Sequence, residues 1–275
     1  MIIDSHLHFW KYSPVSHAWI SDELRVLRRN FLPEDLLPQF QNSGVSKGVA
    51  VQAAQTEAET DFLLQLAEEH DLIAGVVGWV DLRADSLASQ LERWAGNKRL
   101  KGFRHLIQDE PHPDFMRQPE LIRGLELCAQ QGYTYDLLVK PHQLDEAIEL
   151  LSNLPEIPIV LDHMAKPEIA AQKKDPWRTH IKELASFPHL CCKLSGMITE
   201  ANWEAWTLAD IKPYIEVILE SFGPQRIMYG SDWPVCLLAG SYPRVIELVR
   251  ETISELSPTE QADIWGETAT RFYQL

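Results

Sequence analysis

The chain has 275 residues, 45% of them hydrophobic, which is enough to bury a large core and suits one α/β barrel better than two small domains. Its formal net charge of −15 opposes binding to nucleic acid or to an anionic membrane surface, because both need clustered Lys and Arg. The 4 cysteines lack paired spacing, no charged leader precedes an apolar segment, and no apolar run approaches the ~20 residues that cross a bilayer. We therefore expect a cytoplasmic protein with free thiols and a neutral small-molecule partner.

The first predicted strand, Ile2 to His8, begins apolar and ends with two histidines separated by one residue. Side chains alternate along a strand, so His6 and His8 project to the same face with Cα atoms ~6.5 Å apart. Two imidazoles in this position can share a metal ion or polarise one carbonyl oxygen. The same alternation places Asp4 beneath His6, where it is expected to orient a ring nitrogen.

Short β-branched runs then alternate with segments of helical periodicity, which is typical of repeated βα units. The predicted strands are Ile2 to His8, Lys47 to Ala53, Ile73 to Val80, Leu100 to His105, Tyr133 to Val139, Ile157 to Asp162, Leu190 to Ser195 and Arg226 to Ser231. The predicted helices are Glu57 to His70, Leu87 to Ala95, Pro119 to Gln131, Leu144 to Asn153, Trp177 to Ser186, Ile211 to Phe222, Pro243 to Ser254 and a last one capped by Ser257. The pattern predicts the α/β class, as a single (β/α)8 TIM barrel of parallel strands spanning residues 1–275.

Polar residues lie at the predicted ends of the strands, where such barrels carry their catalytic groups. After the two histidines of the first strand they are Gln52, Trp79, Asp81, Arg104, His105, Asp136, Lys140, Asp162, His163, Lys193, Ser195, Asp232 and Trp233. A packed barrel interior normally carries Val, Ile and Leu. Polar groups at so many strand ends therefore indicate a functional mouth.

Asp232 lies in the segment Gly-Ser-Asp-Trp-Pro directly after the last strand, where Gly230 allows close backbone approach. A carboxylate there can deprotonate water, although an aspartate in a turn commonly caps the backbone instead. His163 follows the sixth strand, and a lone histidine there ordinarily donates to a carbonyl. Because a closed barrel brings strands one, six and eight to one mouth, the three histidines and Asp232 together predict a catalytic cluster.

His6-x-His8, His163 and the Gly-Ser-Asp-Trp-Pro segment resemble the amidohydrolase superfamily. The resemblance is to its lactonase branch, which includes 2-pyrone-4,6-dicarboxylate and sulfomuconolactone hydrolases and sugar-acid lactonases. Further segments resemble the L-fuconolactone and L-rhamnonolactone hydrolases, namely His8-Phe9-Trp10, His17-Ala18-Trp19-Ile20, Val77-Gly78-Trp79-Val80-Asp81-Leu82, Lys101-Gly102-Phe103-Arg104-His105 and Tyr135-Asp136-Leu137-Leu138. Support for the resemblance extends over nearly the whole chain.

The resemblance implies a carboxylic ester hydrolase that opens a sugar-acid lactone to the aldonate. Asp232 would be the general base that activates water. His6, His8 and His163 would stabilise the oxyanion, and Asp232 or His163 would return a proton to the ring oxygen.

Substrate contacts are expected from aromatic and polar side chains around the mouth. Aromatic faces pack well against the C–H surfaces of sugars, which favours the strand-end residues Trp10, Trp79 and Trp233, together with Trp19. Polar contacts are expected from Gln52, Arg104, Asp136 and Lys193, with an ion pair to a strand-end carboxylate as the equal alternative for Arg104. Basic residues near the mouth are few, which favours a neutral sugar lactone over a dicarboxylate or sulfonate.

A two-metal centre is disfavoured by the middle strands. Binuclear members of the superfamily carry a bridging lysine or glutamate on the fourth strand and a histidine on the fifth, where this chain has Arg104 and Asp136. An arginine stays protonated and cannot ligate a metal. One divalent ion such as Zn²⁺ fits His6, His8 and Asp232, but a lactone is an activated ester, so we expect no obligatory metal.

Other functions fit the same motifs. One is a metal-dependent amidohydrolase or decarboxylase on the same scaffold, and another is a hydrolase of an anionic lactone carrying carboxylates or a sulfonate. A nonenzymatic sugar-binding protein would use the aromatic mouth without needing Asp232 to face the histidines. The sequence leaves open the sugar, the ring size of the lactone and the oligomeric state.

Overall fold

The computed structural model describes residues 1–275, and its eight parallel strands follow one another around a barrel in chain order. They are β1 (Ile2–Leu7), β2 (Val45–Val51), β3 (Ile73–Gly78), β4 (Leu100–His105), β5 (Thr134–Leu137), β6 (Ile159–Leu161), β7 (Leu190–Leu194) and β8 (Ile227–Tyr229). The predicted (β/α)8 TIM barrel is confirmed, and every predicted strand overlaps an observed one. Six observed strands are shorter than predicted, β4 has its predicted range, and β2 has its predicted length but begins and ends two residues earlier.

The barrel closes between β1 and the segment that follows β8. The backbone N–H of Asp232 donates to the carbonyl of His6 at 2.8 Å, and the N–H of His8 donates to the carbonyl of Trp233 at 2.7 Å. The N–H of Ser231 donates to the Asp4 carboxylate at 2.8 Å. Closure therefore fixes the Gly-Ser-Asp-Trp-Pro segment beside the two histidines of the first strand.

Helices follow the strands on the outside of the barrel. They are α1 (Pro33–Ser43), α2 (Glu57–Glu69), α3 (Leu87–Glu92), α4 (Pro119–Gln130), α5 (Leu144–Asn153), α6 (Trp177–Leu184), α7 (Leu208–Phe222), α8 (Tyr242–Thr252), α9 (Pro258–Ala262) and α10 (Thr268–Tyr273). The sequence prediction omits α1, which carries Pro38 in its interior and buries only Pro33, Leu36 and Phe40. Such a sparse apolar stripe gives a weak helical period. None of these helices has the length and apolar character to span a membrane.

The predicted cap at Ser257 is present. Its hydroxyl accepts from the N–H of Glu260, and its own N–H donates to the Glu260 carboxylate at 2.8 Å. The helices that follow carry the chain beneath the barrel, where Ala269 and Tyr273 of α10 pack with interior residues such as Ile3. This end of the barrel is consequently sealed by apolar packing, and the polar residues lie above it.

Candidate active site

Four side chains predicted to be catalytic converge at the mouth of the barrel. The Asp232 Oδ1 atom lies 3.4 Å from His8 Nε2, 3.9 Å from His6 Nε2 and 4.0 Å from His163 Nε2. The Nε2 atoms of His6 and His8 are 3.2 Å apart, as expected for residues on one face of a strand. All four side chains are buried, so their charges act in a medium where electrostatic effects are strong.

Asp232 is held in an uncommon backbone conformation. Its φ is +58°, in the left-handed region that Asp and Asn tolerate better than most residues. The preceding Gly230 lies so close to β1 that a Cβ there would be 2.7 Å from the Cβ of His6. Burial would raise the pKa of Asp232, but His163 and His8 outweigh it and lower the pKa below its usual value. The carboxylate is therefore ionised at neutral pH and available as a proton acceptor.

The ring orientation of His8 is set by a backbone carbonyl. Its Nδ1 lies 2.7 Å from the carbonyl oxygen of Val51, at the end of β2. Since a carbonyl can only accept, Nδ1 carries a proton and donates it. The Nε2 atom consequently points toward His6 and Asp232, and the side chain lines the cavity described below.

His163 lies in a left-handed turn directly after β6. Four successive residues, His163 to Lys166, have φ values between +50° and +58°, a conformation that costs ordinary residues roughly 1–2 kcal/mol each. The turn is held by the indole of Trp177, which donates to the Met164 carbonyl at 2.8 Å. Strained backbone held by its surroundings is typical of functional sites. Here it directs the imidazole back over the barrel mouth.

His163 is neutral at physiological pH. Burial lowers the pKa of His163 to about 4, although Asp232 and Asp162 act in the opposite direction. Its Nδ1 contacts the Ser195 hydroxyl at 2.8 Å. A side chain at Gly196 would meet that ring, since a Cβ there would be 2.8 Å from the His163 Nδ1 atom. When the Ser195 hydroxyl donates to Nδ1, the remaining proton sits on Nε2 and faces Asp232.

A network of charged residues lies directly beneath His6. Asp162 Oδ2 accepts from Arg104 Nη1 at 3.1 Å, and Asp162 Oδ1 lies 3.1 Å from Lys193 Nζ and 3.3 Å from His6 Nδ1. Burial would raise the pKa of Asp162, but Lys193, His6 and Arg104 hold it well below its usual value. Burial also lowers the pKa of His6. The neutral imidazole of His6 therefore lies against the ionised carboxylate of Asp162.

The network continues downward to the sealed end of the barrel. Lys193 donates to the Asp136 carboxylate, and the Tyr273 hydroxyl lies 2.9 Å from both oxygens of that carboxylate. Asp136 and Lys193 have no exposed surface. Burial raises the pKa of Asp136 to about 6 even though Lys193 lowers it. These two residues, expected at the rim, instead lie inside the barrel below His6.

The expectation for Asp4 is wrong. Its carboxylate accepts from the backbone N–H groups of Ser231 and His6 and from the hydroxyl of Tyr242 at 3.1 Å. It therefore closes the barrel rather than orienting the His6 ring. Strand alternation puts Asp4 on the face of His6, but the ring turns away from its own strand toward Asp162 and Lys193.

A cavity of about 110 Å³ opens above this group of side chains. A water molecule needs about 10–15 Å³ of such space, so the cavity has room for a small organic ring. The lining residues are His8, Trp19, Ala53, Arg104, Leu106, Gln108, Asp109, Leu138, His163, Lys166, Asp232 and Val235. Only 5 of these 12 residues are hydrophobic, so the cavity combines some apolar contact with many hydrogen-bonding groups, as a small polar ligand requires.

The other residues expected to bind substrate are not on this cavity lining. Gln52 is fully buried, and its amide donates to the Arg104 carbonyl at 3.1 Å. Trp10 donates to the Arg29 carbonyl at 2.9 Å, and Trp233 packs edge-on against Phe9 and Phe31. Trp79 faces His105, with its indole nitrogen 3.4 Å from Nδ1. These aromatic side chains support the loops around the mouth.

Arg104 forms the ion pair expected for it, and its contact with substrate stays a prediction. Its guanidinium forms the ion pair with Asp162 and donates from Nη2 to the Gln52 carbonyl at 2.5 Å. The same side chain lines the cavity. A cation fixed in this way can meet a developing negative charge without moving.

Sequence reasoning gave too little weight to several residues of the site. Asp162 and Ser195 were visible as strand-end residues, and only their contacts with His6 and His163 reveal their roles. Gln108, Asp109 and Lys166 come from loops after β4 and β6, where no periodic pattern exists to single them out. Trp19, which was named among the aromatic residues expected at the mouth, does line the cavity.

The cluster has a donor set that fits a metal ion. His6, His8 and Asp232 place their ligand atoms within 4.8 Å of one another, and so do His6, Asp162 and His163. Two imidazole nitrogens and a carboxylate suit Zn²⁺, with positions left for water. The side chains present therefore fit one divalent ion at the mouth of the barrel.

An ionised carboxylate facing imidazoles at the C-terminal mouth of a parallel barrel defines a class of hydrolytic TIM-barrel enzymes. The model of the amidohydrolase family matches residues 3–275, so this chain belongs to that family. It is 43% identical to an L-fucono-1,5-lactonase of Burkholderia multivorans over 99% of this chain and 96% of that protein. It is 33% identical to an L-fucono-1,5-lactonase of Burkholderia ambifaria, over 99% and 95%. The resemblance drawn from the motifs is confirmed.

A solved structure extends the likeness to three dimensions. The chain superposes on an amidohydrolase from Burkholderia multivorans with bound zinc, with a TM-score of 0.97 and 42% identity, over 100% of this chain and 99% of that one. A zinc ion is thus compatible with this scaffold in a similar protein.

Proposed function

We propose that the protein hydrolyses a sugar-acid lactone of the L-fucono- or L-rhamnono- type to the open-chain aldonate, in cytoplasmic carbohydrate catabolism. The observation that carries the proposal is the ionised Asp232 carboxylate on the floor of a cavity, facing three imidazoles. The similarity to two L-fucono-1,5-lactonases supports this substrate class. The four free cysteines fit a reducing compartment.

In the first step, Asp232 removes a proton from a water molecule, and the water oxygen bonds to the lactone carbonyl carbon. The carbonyl oxygen becomes an oxyanion as Asp232 becomes neutral. The negative charge therefore passes from Asp232 to the oxyanion, and the net charge of the site stays the same. Arg104 and the Nε2–H of His163 are the donors that meet the oxyanion, and His6 and His8 complete the polar floor beneath it. Asp162 holds the guanidinium in place at 3.1 Å.

In the second step, the intermediate collapses and the bond from the carbonyl carbon to the ring oxygen breaks. The leaving ring oxygen takes the proton that Asp232 accepted in the first step, which gives a free hydroxyl and restores the carboxylate; His163 is neutral, with its pKa lowered to about 4, and keeps its proton. The new carboxylic acid then releases its proton to solvent. The apolar walls formed by Leu106, Leu138 and Val235 limit the water that reaches the intermediate.

We propose that hydrolysis needs no obligatory metal. A divalent ion held by His6, His8 and Asp232 would supply Lewis-acid polarisation. Two basic side chains already contact His6, because Arg104 Nη1 lies 3.3 Å from its Nε2 and Lys193 Nζ lies 3.1 Å from its Nδ1. The guanidinium can meet the oxyanion itself, so a Lewis acid is not required to stabilise that charge.

Metal removal tests this proposal. After treatment with a strong chelator, and with metal loss verified by elemental analysis, the protein is expected to keep most of its kcat for lactone opening. A rate that vanishes and returns with added Zn²⁺ or Mn²⁺ would make the histidines metal ligands and refute the metal-free mechanism.

The pH dependence gives a second test. Because burial lowers the pKa of His163 to about 4 and the histidines lower that of Asp232, both groups stay in their active forms down to acidic pH. Activity is present above these pKa values and is lost as pH falls through them. We expect kcat/KM to be level between about pH 5 and pH 7 and to fall toward pH 4. An inflection near 6.5, the usual pKa of histidine, would contradict this assignment.

A screen of lactones with a pH indicator tests the substrate class. Acid release from L-fucono- or L-rhamnonolactone, with pyrone dicarboxylate and sulfomuconolactone as comparison compounds, is the expected result. Turnover of the anionic compounds with all neutral sugar lactones inert would overturn the assignment.

A further inference from the structure

Two polar residues of the cavity lie in the loop after β4 and have no part in the proposed hydrolysis. They are Gln108 and Asp109, and the amide of Gln108 donates to Asp109 Oδ2 at 3.1 Å. Lys140 donates to the other carboxylate oxygen, Oδ1, at 3.2 Å. A carboxylate has about four lone-pair sites, so these two contacts leave Asp109 able to accept further hydrogen bonds.

The loop that carries them, residues 106–110, is fastened by side chains from other parts of the barrel. The N–H of Leu106 donates to Gln55 Oε1 at 2.9 Å, and Gln143 Nε2 donates to the Ile107 carbonyl at 2.9 Å. Gln55 follows β2 and Gln143 follows β5. Loops are ordinarily the more mobile parts of a fold, and these contacts therefore fix the part of the loop that lines the cavity.

A histidine at the end of β4 closes the loop. His105 Nε2 lies 2.6 Å from Glu110 Oε1, and the indole nitrogen of Trp79 donates to His105 Nδ1 at 3.4 Å. Because Nδ1 accepts, the proton of the neutral ring is on Nε2, which donates it to Glu110. The ring also stacks on Phe115, with 4.8 Å between the centroids. Trp79 and His105, which take no part in the chemistry, thus hold both ends of the loop together.

We infer that Asp109 is a specificity-determining residue whose carboxylate accepts hydrogen bonds from hydroxyl groups of the lactone, and that the loop after β4 holds it for this contact. The inference deepens the proposed lactone hydrolysis, on which it rests. Asp232 and Asp109 line the same cavity of about 110 Å³. A ring that fills this cavity with its carbonyl carbon at Asp232 extends its substituents toward the other lining residues, Asp109 among them.

The chemistry of a carboxylate selects the kind of group that it binds. The ester group of a lactone offers only acceptor oxygens, so an unsubstituted ring has no donor for Asp109. The hydroxyls of a sugar lactone are donors, and their hydrogen bonds to an ionised carboxylate are roughly twice as strong as those between neutral groups. A substrate carrying a carboxylate or a sulfonate would instead meet a like charge. Asp109 therefore favours a neutral, hydroxylated lactone.

Asp109→Asn tests the contact, because it removes the charge and keeps the size of a side chain that is 49% exposed. For L-fuconolactone, we expect kcat/KM to fall about tenfold, through a higher KM with little change in kcat. The reason is that a hydroxyl away from the reacting carbon is bound equally in the ground state and the transition state. For δ-valerolactone, a six-membered lactone without hydroxyls, the expected change is less than about twofold.

The matched control is Asp114→Asn, in the same connection between β4 and α4. Its carboxylate is 57% exposed, pairs with Arg117 at 2.9 Å and is not on the cavity lining. It should have wild-type kinetics with both lactones. If δ-valerolactone is not turned over, its Ki against the sugar lactone is compared instead. Equal kcat/KM for Asp109→Asn and the wild type with the sugar lactone, or an equal loss with both lactones, overturns the inference.

Glu110 tests the role of the loop, since it is not on the cavity lining. Glu110→Ala removes the acceptor of His105, and we expect it to raise KM for the sugar lactone about as much as Asp109→Asn does. Glu110→Gln keeps an oxygen that can accept from His105 and should restore most of the affinity. A KM unchanged by Glu110→Ala, or an equal loss with δ-valerolactone, shows that the loop does not position Asp109.

The two proposals fail separately. If the wild type opens neither lactone, the proposed hydrolysis is wrong, and calorimetric titration of the wild type and Asp109→Asn with the sugar lactone still measures the contact as a difference in Kd. If the wild type opens the sugar lactone and Asp109→Asn matches it in KM, only the inference about Asp109 is wrong.

Discussion

Replacing Asp232 with Asn is expected to lower kcat by about 10²- to 10⁴-fold while leaving the fold intact, because an amide cannot accept the proton of water. The choice of Asn follows from the backbone, since φ is +58° at this position and Asn tolerates the left-handed region. The change also keeps the size of the side chain. The fall in kcat should therefore result from the missing base and not from a rearranged loop.

The measurement is kcat for the best lactone of the screen, together with thermal unfolding of each variant. Asp145→Asn on α5 is the matched control, because its carboxylate is 84% exposed and lies on the outside of the barrel. It should have wild-type kcat. Near-normal turnover by the Asp232 variant would remove this residue from the mechanism.

Replacing Arg104 with Gln is expected to lower kcat/KM by about 10²- to 10³-fold, the usual cost of removing one oxyanion donor. The guanidinium donates from Nη1 to Asp162 and from Nη2 to the Gln52 carbonyl, and the side chain also lines the cavity. A glutamine can donate one hydrogen bond but carries no charge. It leaves Asp162 with Lys193 as its only cationic partner, so the free energy of unfolding should also fall.

Arg104→Lys separates charge from geometry. A lysine keeps the positive charge but cannot make both contacts of the planar fork, so it should recover only part of kcat/KM. The rates are compared at a temperature where unfolding curves show all variants folded. A glutamine variant with the kcat/KM of the wild type would show that Arg104 serves only as the partner of Asp162.

The convergence of His6, His8, His163 and Asp232 could be predicted because it depends on two properties that a sequence reveals. Strand alternation puts His6 and His8 on one face, and parallel order around a barrel brings the ends of β6 and β8 to the same mouth. His163 and Asp232 follow from that geometry. No knowledge of side-chain contacts was needed.

The residues beneath the cluster could not be placed in the same way. Strand alternation predicts to which face of the sheet a side chain points, but not how deep in the barrel a long side chain ends. Lys193 was therefore expected at the rim, whereas it lies inside the barrel. Its partner Asp136 is on β5, two strands away, and Tyr273 comes from α10. Asp162, and not the nearer Asp4, faces the His6 ring because contacts across the barrel outweigh sequence proximity.

Closure of the barrel has a consequence for the order of folding. The Ser231 N–H and the Asp4 carboxylate are 227 residues apart, and Tyr273 and Asp136 are 137 apart. The edge of β1 thus leaves the ribosome long before β8 exists to cover it, and parallel pairings of such long range form slowly. We expect the active site to be the last part of the molecule to assemble. Until then the open edge of β1 is where a growing chain is most exposed to wrong strand partners, so low temperature and slow synthesis should raise the yield of active protein.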